Sequence, residues 1–343
     1  MKIFFVGDFK SNTGPGIANQ SIRKGLFKKN NVVFSKATNN FTRVLEIIMY
    51  TFTSDGICFC SFSKVNIIGI KIARAFNKKT FYIMHGYSTL ENKINNLVIT
   101  NEEIMKINSF EKYIFKKVDR IFCVSKLFMN YMKEVEPDYK EKFDYIYTGL
   151  DLKEITVAAK QYSIKKNKQQ IVSIGGGMKQ KNNLAVCMAI DKLNKEKNMN
   201  LKYIVIGLPY TEKERICAYD FVTYYDELPH KKVLEILADS YLYIQNSTLE
   251  TFGLSIIEAL TLKCNLLVSN NVGAIELIKT ITKDDLIFNQ ENIDEIASKI
   301  EKLMYFENYE RLYNGILRDK IDYEKAAELL MFKIENRLVQ SNE

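Results

Sequence analysis

No stretch of the 343 residues approaches the roughly 18 consecutive apolar residues that a membrane-spanning helix needs, so the sequence predicts no such span. The opening residues MKIFFVGD enter a strand pattern directly, without the regions of a secretory signal, which favours the cytoplasm. The six cysteines (Cys58, Cys60, Cys123, Cys187, Cys217 and Cys264) include no C-x-x-C pair and sit mostly in apolar patterns, where small buried residues are expected. Cys58 and Cys60 share a strand face, but no second Cys or His pair stands nearby to complete a metal site. No two aspartates lie two residues apart, so the Asp-x-Asp that would hold a hard divalent cation is missing, and the adjacent Asp284 and Asp285 read as a turn. G-x-x-x-x-G-K-[ST] is absent, which excludes a P-loop. A dinucleotide fingerprint starting at Gly14 would need a third glycine at Asn19, which disfavours a nicotinamide dehydrogenase. Helix-turn-helix, zinc-finger and RNP-like signatures are missing too, and nucleic acid is not an expected partner. No solenoid-period repeat occurs.

The length suits two domains of ordinary size. The net charge of +8 is unevenly spread: residues 1–150 carry 23 Lys and Arg against 13 Asp and Glu, and the remainder is slightly acidic. An anionic membrane surface or an acidic acceptor matches that half, with Arg23, Lys24, Lys28, Lys29, Lys112, Lys116 and Lys117 as candidate contacts. A merely solvated basic face is the alternative. Short β-rich runs alternate with helical periodicity throughout, the pattern of parallel sheets with crossover helices. Strands are predicted at 2–7, 32–37, 56–62, 80–85, 120–124 and 143–147, and again at 171–174, 203–206, 221–225, 241–245, 265–268 and 285–288. Residues 1–150 form the first expected domain, 151–168 a polar, Lys-rich link, 169–318 the second domain, and 319–343 a closing helix.

The most informative segment is STLETFGLSIIEAL, residues 247–260, directly after the strand YLYIQ. A helix starting near Phe252 or Gly253 puts Glu250 in the preceding loop and Glu258 one to two turns inside. Its free N–H groups then point to the carboxyl end of the sheet, where open α/β sheets bind ligands, and make an anion site there. Two carboxylates would repel a bare phosphate. They suit a diphosphate flanked by hydroxyls, with the ribose diol at Glu258 and a hexose hydroxyl at Glu250. An exposed loop carboxylate and a solvated helix carboxylate remain the alternative. The run IGGGMKQKNN, residues 174–183, adds glycines (among them Gly175 and Gly176) that let the backbone approach a ligand, and places Lys181 to neutralise phosphate. A plain glycine turn with a surface lysine would look the same. In the first half, Gly14 and Gly16 precede a helix and offer a second approach to a diphosphate, and His85 ends a strand ahead of Gly86. His230 reads as a surface loop residue.

Taken in order, these segments resemble the retaining glycosyltransferases of the GT-B fold, glycosyltransferase family 4 (glycosyl transferases group 1). ETFGLSIIEAL is similar to the family's E-x7-E motif with Phe-Gly after the first glutamate. The strand-end His-Gly, FEKYIFKKVDRIFCVSKLF, YTGLD and LLVSNNVGAIELI extend the similarity over nearly the whole chain. The resemblance implies an α/β fold with two Rossmann-like domains facing across a cleft and a C-terminal helix closing the structure. It implies that Glu250 contacts the transferred sugar and that Glu258 binds the ribose hydroxyls. Thr251, Phe252, Gly253 and Leu254 would then line the sugar and diphosphate, with Lys181 on the phosphates. By the same resemblance Gly14 and Gly16 approach the diphosphate, His85 lies near sugar and acceptor, and backbone at Glu227 and Leu228 reads the base. Gly176 stands where the family commonly has an arginine, Asn246 where proline is common, which is expected to be harmless, and Thr148 to Asp151 where it has an Asn-Gly-Asp-like turn, which is expected to be structural.

The implied activity is retaining, metal-independent transfer of a hexose-type sugar from a nucleoside-diphosphate sugar, UDP-linked by family preference, with no cofactor besides that donor. The acceptor would be a carbohydrate or lipid-linked molecule, in bacterial surface-glycan synthesis (capsule, exopolysaccharide, lipopolysaccharide or teichoic acid), at the cytoplasmic face of the membrane. A sugar-nucleotide epimerase or phosphorylase of related architecture, or a non-catalytic partner subunit of a transferase, are the rival readings.

Overall fold

The computed structural model describes residues 1–11, 13–95, 99–161 and 166–339. Within them the chain makes two compact units, one from residues 1–90, 99–151 and 318–339 and the other from residues 91–95 and 152–317.

The first unit is a parallel sheet of six strands, β1 (Ile3–Val6), β2 (Val32–Phe34), β3 (Gly56–Phe59), β4 (Lys79–Met84), β5 (Arg120–Cys123) and β6 (Phe143–Tyr145), in the order β2-β1-β3-β4-β5-β6. IFFV and GICF are buried at every position, as befits central strands covered by helices on both faces. Helix starts follow local chemistry. Thr100 and Glu103 form a reciprocal capping box on Asn101–Lys117, and Ser125 caps Lys126–Val135 by accepting from Phe128 N–H. The chain returns to this unit at its far end. Helix Tyr323–Val339 packs on helix Gly14–Leu26 so closely that a Cβ on Gly25 would lie 2.7 Å from Ala327 Cβ. Gly149 meets Tyr323 in the same way, Leu150 N–H donates to Ile321 O at 2.7 Å, and Lys333 pairs with Asp144 at 2.7 Å.

The second unit repeats the architecture with β7 (Asn167–Ile174), β8 (Lys202–Ile206), β9 (Val222–Tyr225), β10 (Ser240–Gln245), β11 (Asn265–Ser269) and β12 (Leu286–Ile287), all parallel, in the order β12-β11-β10-β7-β8-β9. Ile171, Val205, Leu242, Ile244 and Leu267 lie in its buried core with Ile190 of helix Asn183–Lys197 and Ile300 of helix Ile293–Tyr305. β10 is the third strand of its sheet and β1 the second of its own, both paired on two sides, and each is followed by a loop carrying expected site residues.

Every strand expected from the sequence is present, with ends shifted by a few residues. The largest shift is in β7, which begins at Asn167 because its polar first residues are exposed yet still paired. The supposed link is where the reading fails. Leu152–Gln161 is a helix of the second unit, with Ile155 and Ala159 buried one turn apart under a polar, Lys-bearing outer face. Of the expected link, residues 162–165 lie outside the described residues, as do 340–343 of the closing helix.

Five cysteines are buried and Cys217 is exposed. Asp284 and Asp285 sit in a 3-10 turn. Asp285 is held by Arg311 (2.8 Å) and Asn308 (2.8 Å), and Asp284 by Lys302 (2.8 Å).

Candidate functional site

Strand β10 ends at Gln245, and the next residues, Asn246 and Ser247, are fully buried. Asn246 donates to Gln290 O at 2.8 Å, so the residue standing where proline is common pins a neighbouring loop. The chain then crosses to the 271–274 segment. Glu250 N–H donates to Asn271 O (2.9 Å), Gly273 N–H to Glu250 O (3.0 Å) and Ala274 N–H to Phe252 O (2.8 Å). That lattice fixes the backbone from Glu250 through Phe252 and gives the NNVGA run a task that the sequence did not reveal.

Gly253 turns the loop into helix Leu254–Thr261 at φ +95°, and a Cβ there would meet Val272 at 3.0 Å and Glu250 Cγ at 3.2 Å. Only glycine suits both demands. No side chain caps this helix, so its first N–H groups retain their capacity for an anion. Beneath it, the Tyr243 hydroxyl donates to Gln245 Oε1 (3.2 Å) and accepts from Ser255 Oγ (2.7 Å), while Gln245 Nε2 donates to Glu250 Oε2 at 2.8 Å. This chain of hydrogen bonds orients the Glu250 carboxylate. Lys181, from the 3-10 turn Lys179–Lys181 after β7, forms an ion pair with the same oxygen, and both partners are largely buried.

The glycines under Lys181 explain its path. A Cβ on Gly175 would lie 2.5 Å from Lys181 Cγ, so the lysine crosses above a residue with no side chain. Gly176 has φ +60°, and a Cβ there would approach Leu208 O at 2.4 Å and Gly207 C at 2.5 Å. The family arginine is therefore missing for a backbone reason: this loop has no room for any side chain at that position.

Glu258, one turn into the helix and mostly buried, meets His230 with Nε2···Oε1 at 2.9 Å. That hydrogen bond raises the His230 pKa above its ordinary 6.5, partly opposed by burial. His230 is exposed, as expected of a surface residue, but it opens helix His230–Asp239 instead of standing in a loop, and its contact with Glu258 sets it beside the candidate site. No spacing signal links it to Glu258. Glu227 and Leu228 lie in the loop between β9 and that helix, Glu227 exposed and Leu228 partly so.

Sequence reasoning also missed Gln180 and Asn95. The Gln180 side chain donates to Leu249 O at 2.6 Å, Thr248 N–H donates to Gln180 O at 2.9 Å, and Gln180 N–H donates to Asn95 Oδ1 at 2.9 Å. The Lys181 turn and the Glu250 loop are thereby tied together.

In the first unit, Gly16 approaches Ser11 too closely for any Cβ, whereas Gly14 has open space around it. Asn19, buried in helix Gly14–Leu26, donates to Asp8 O (3.0 Å) and presents Oδ1 to His85 Nε2 at 2.9 Å. The residue that breaks the dinucleotide fingerprint is thus what joins the glycine loop to His85. Burial lowers the His85 pKa to about 4, outweighing a hydrogen bond to the Cys60 backbone that acts in the other direction. The ring is neutral at pH 7.

The structure therefore brings Gly175, Lys181, Glu250, Thr251, Phe252, Gly253, Leu254 and Glu258 around the carboxyl ends of β7 and β10, and gathers Gly14, Gly16 and His85 at the ends of β1 and β4. Two parallel six-stranded sheets with flanking helices, each with such a loop cluster, are the GT-B fold of glycosyltransferases. Residues 154–318 match the model of the family described as glycosyl transferases group 1. Similar solved structures include sucrose-phosphate synthase of Thermosynechococcus elongatus, with 14% identity, 99% of each chain covered and a TM-score of 0.71. HepE of Anabaena, in complex with UDP-glucose, has 14% identity over 98% of this chain and 100% of its own, with a TM-score of 0.70. The UDP-forming α,α-trehalose-phosphate synthase of Burkholderia xenovorans, in complex with glucose-6-phosphate, has 9% identity over 98% and 100%, with a TM-score of 0.69. No curated protein sequence matches the chain. Among the described residues no helix is long and apolar enough to cross a membrane.

Proposed function

We propose that this chain transfers a hexose-type sugar from a nucleoside-diphosphate sugar, UDP-linked, to a carbohydrate or lipid-linked acceptor with retention at the anomeric carbon. The observation that carries the reading is the convergence of Lys181, Glu250 and the uncapped start of helix Leu254–Thr261. Cation and helix N–H groups together suit a diphosphate, and the carboxylate beside them suits a sugar hydroxyl. UDP is supported by the UDP-glucose complex of HepE and the UDP-forming synthase, which share the fold.

Transfer demands stabilisation of the departing diphosphate. As the glycosidic bond lengthens, negative charge grows on the phosphate oxygens, and Lys181 with the helix N–H groups is placed to meet it. Donor binding exchanges the Lys181–Glu250 pair for Lys181–phosphate and Glu250–sugar contacts, with Gln245 holding the Glu250 carboxylate in position. Glu258 receives the ribose diol and His230 supports it from behind. Neutral His85 offers a hydrogen bond near the sugar and acceptor without adding charge. No divalent ion enters this scheme, because the charge on the phosphates is met by lysine and backbone. A role in bacterial surface-glycan synthesis at the inner face of the membrane fits the basic surplus of residues 1–150.

A thermal-shift series against UDP-, GDP- and ADP-sugars tests the reading, since a ligand of the folded state raises Tm. UDP-sugars should give the largest rise. Absence of a rise with any nucleotide sugar would remove the donor site. Conversion of the free sugar nucleotide without acceptor would favour an epimerase instead, and binding without turnover a partner subunit.

A further inference from the structure

Helix Asn40–Thr53 turns an apolar face to solvent. Of its fourteen residues only Ile47 and Thr51 are buried, and Tyr50 turns inward to Phe4, the two rings tilted with centroids 4.6 Å apart. Phe41, Leu45, Ile48, Met49 and Phe52 recur at i, i+4, i+7, i+8 and i+11, a single stripe whose exposure runs from 40% for Ile48 to 74% for Phe41. The stripe continues onto helix Val65–Ala75, where the ring of Phe76 meets Phe52 edge-on at 4.6 Å and both rings remain exposed. Single exposed apolar residues are ordinary, but a contiguous stripe of large ones marks an interaction surface.

The charges around it identify the partner. Between residues 36 and 78 stand Lys36, Arg43, Lys64, Lys71, Arg74 and Lys78 against only Glu46 and Asp55. Both acids are already engaged: Glu46 accepts from Ser35 Oγ and Lys36 N–H, and Asp55 from Lys2 N–H. This segment is therefore apolar along the stripe and carries six cations against two engaged acids, while Glu103 of the neighbouring helix Asn101–Lys117 acts on Lys64. That combination suits a helix lying in the headgroup region of an anionic bilayer, where buried apolar area and cation attraction act together. A protein partner would need a matching acidic rim around an apolar centre. A second copy would bring the same cations against themselves.

We propose that this face docks the protein on a lipid bilayer carrying anionic headgroups, with Phe41, Leu45 and Phe52 inserted at the acyl boundary and Lys36, Lys71 and Lys78 among the headgroups. It deepens the reading of the basic N-terminal half and relocates its contacts. Arg23, Lys24, Lys28, Lys29, Lys112, Lys116 and Lys117 lie on or just beyond other helices, and Lys24 is paired with Asp151.

The test uses the full-length chain, lipid alone and no sugar nucleotide, so that its outcome is separate from that of the transferase reading. The chain contains no tryptophan, which makes Phe41→Trp a unique reporter at the most exposed point of the stripe. Its emission should shift to the blue with vesicles of phosphatidylcholine and phosphatidylglycerol, and stay unchanged with phosphatidylcholine alone. In flotation, Phe41→Ser/Leu45→Ser/Phe52→Ser should lower binding to the mixed vesicles by about tenfold or more while keeping the wild-type circular dichroism. Lys36→Gln/Lys71→Gln/Lys78→Gln should weaken binding and flatten its dependence on salt. An unshifted emission, or a triple serine variant that floats like wild type, would overturn the proposal. So would a wild-type dimer in lipid-free buffer that the serine variant dissolves, which would make the face a contact between copies.

Discussion

Glu250 and Glu258 are eight residues apart and meet different partners. Glu250 answers to Lys181 and Gln245, Glu258 to His230. Their substitutions should therefore separate. Glu250→Ala should lower turnover by more than about tenfold and leave affinity for the free nucleotide intact or slightly tighter, because Lys181 is released to the phosphates. Kinetics and calorimetry on one preparation decide this, and parallel loss of nucleotide affinity would contradict the assignment to the sugar. Glu258→Ala should weaken nucleotide binding by about 1–3 kcal/mol through lost hydrogen bonds to a charged acceptor. An unaltered affinity would take Glu258 out of the ribose site. His230 brings a pH dependence. Its folded pKa is raised, so the stability contributed by its bond to Glu258 is fully present below the ordinary value of 6.5 and is lost as pH rises through the raised one. His230→Ala should abolish that fall in Tm on the alkaline side of 6.5. A variant that retains the wild-type profile would show that another group titrates there.

At the scale of elements, the two loops of the proposed phosphate site depend on glycines for different reasons. Gly253 supplies a left-handed cap, whereas Gly176 avoids the backbone of Gly207 and Leu208. Gly176→Arg, which restores the residue common in the family, should therefore destabilise the second unit instead of strengthening donor binding. Strain at φ +60° alone costs about 1–3 kcal/mol, and the 2.4 Å approach to Leu208 O adds to it. Urea unfolding would measure the loss, and a variant as stable as wild type with tighter nucleotide binding would show that the loop adapts. The same loops mark what the sequence makes legible. Strands such as IFFV and NLLVS stand out because burial on both faces leaves no polar interruption, and the E-x7-E spacing stands out because both glutamates belong to one strand-loop-helix turn. The pairs His230–Glu258, Asn19–His85 and Asn95–Gln180 join residues 28, 66 and 85 positions apart, and only the fold creates them. Helix Leu152–Gln161 was hidden for the opposite reason. Its buried side is as narrow as Ile155 and Ala159, and the lysines around it read as linker.

For the molecule as a whole, the proposed phosphate partners make a prediction about added metal. With a lysine and backbone N–H groups as the proposed ligands of the diphosphate, activity should survive EDTA nearly unchanged. The adjacent acids Asp284 and Asp285 are committed to Lys302, Arg311 and Asn308 and leave no obvious place for an ion. Abolition by EDTA with rescue by Mn²⁺ or Mg²⁺ would overturn the phosphate-site assignment.

The return of Tyr323–Val339 to the first unit also bears on how the molecule is made. Strands β1 to β6 leave the ribosome before strands β7 to β12 of the second unit, yet the helix that packs against Gly25 and Gly149 follows them. Every residue of the second unit is synthesised before that helix appears. The first unit is therefore begun before the second and finished after it. During translation its helix Gly14–Leu26 has no Ala327 or Tyr323 to pack against, and Asp144 lacks Lys333. The second unit can mature as a completed body while the first waits, with apolar surface uncovered, for residues 318–339.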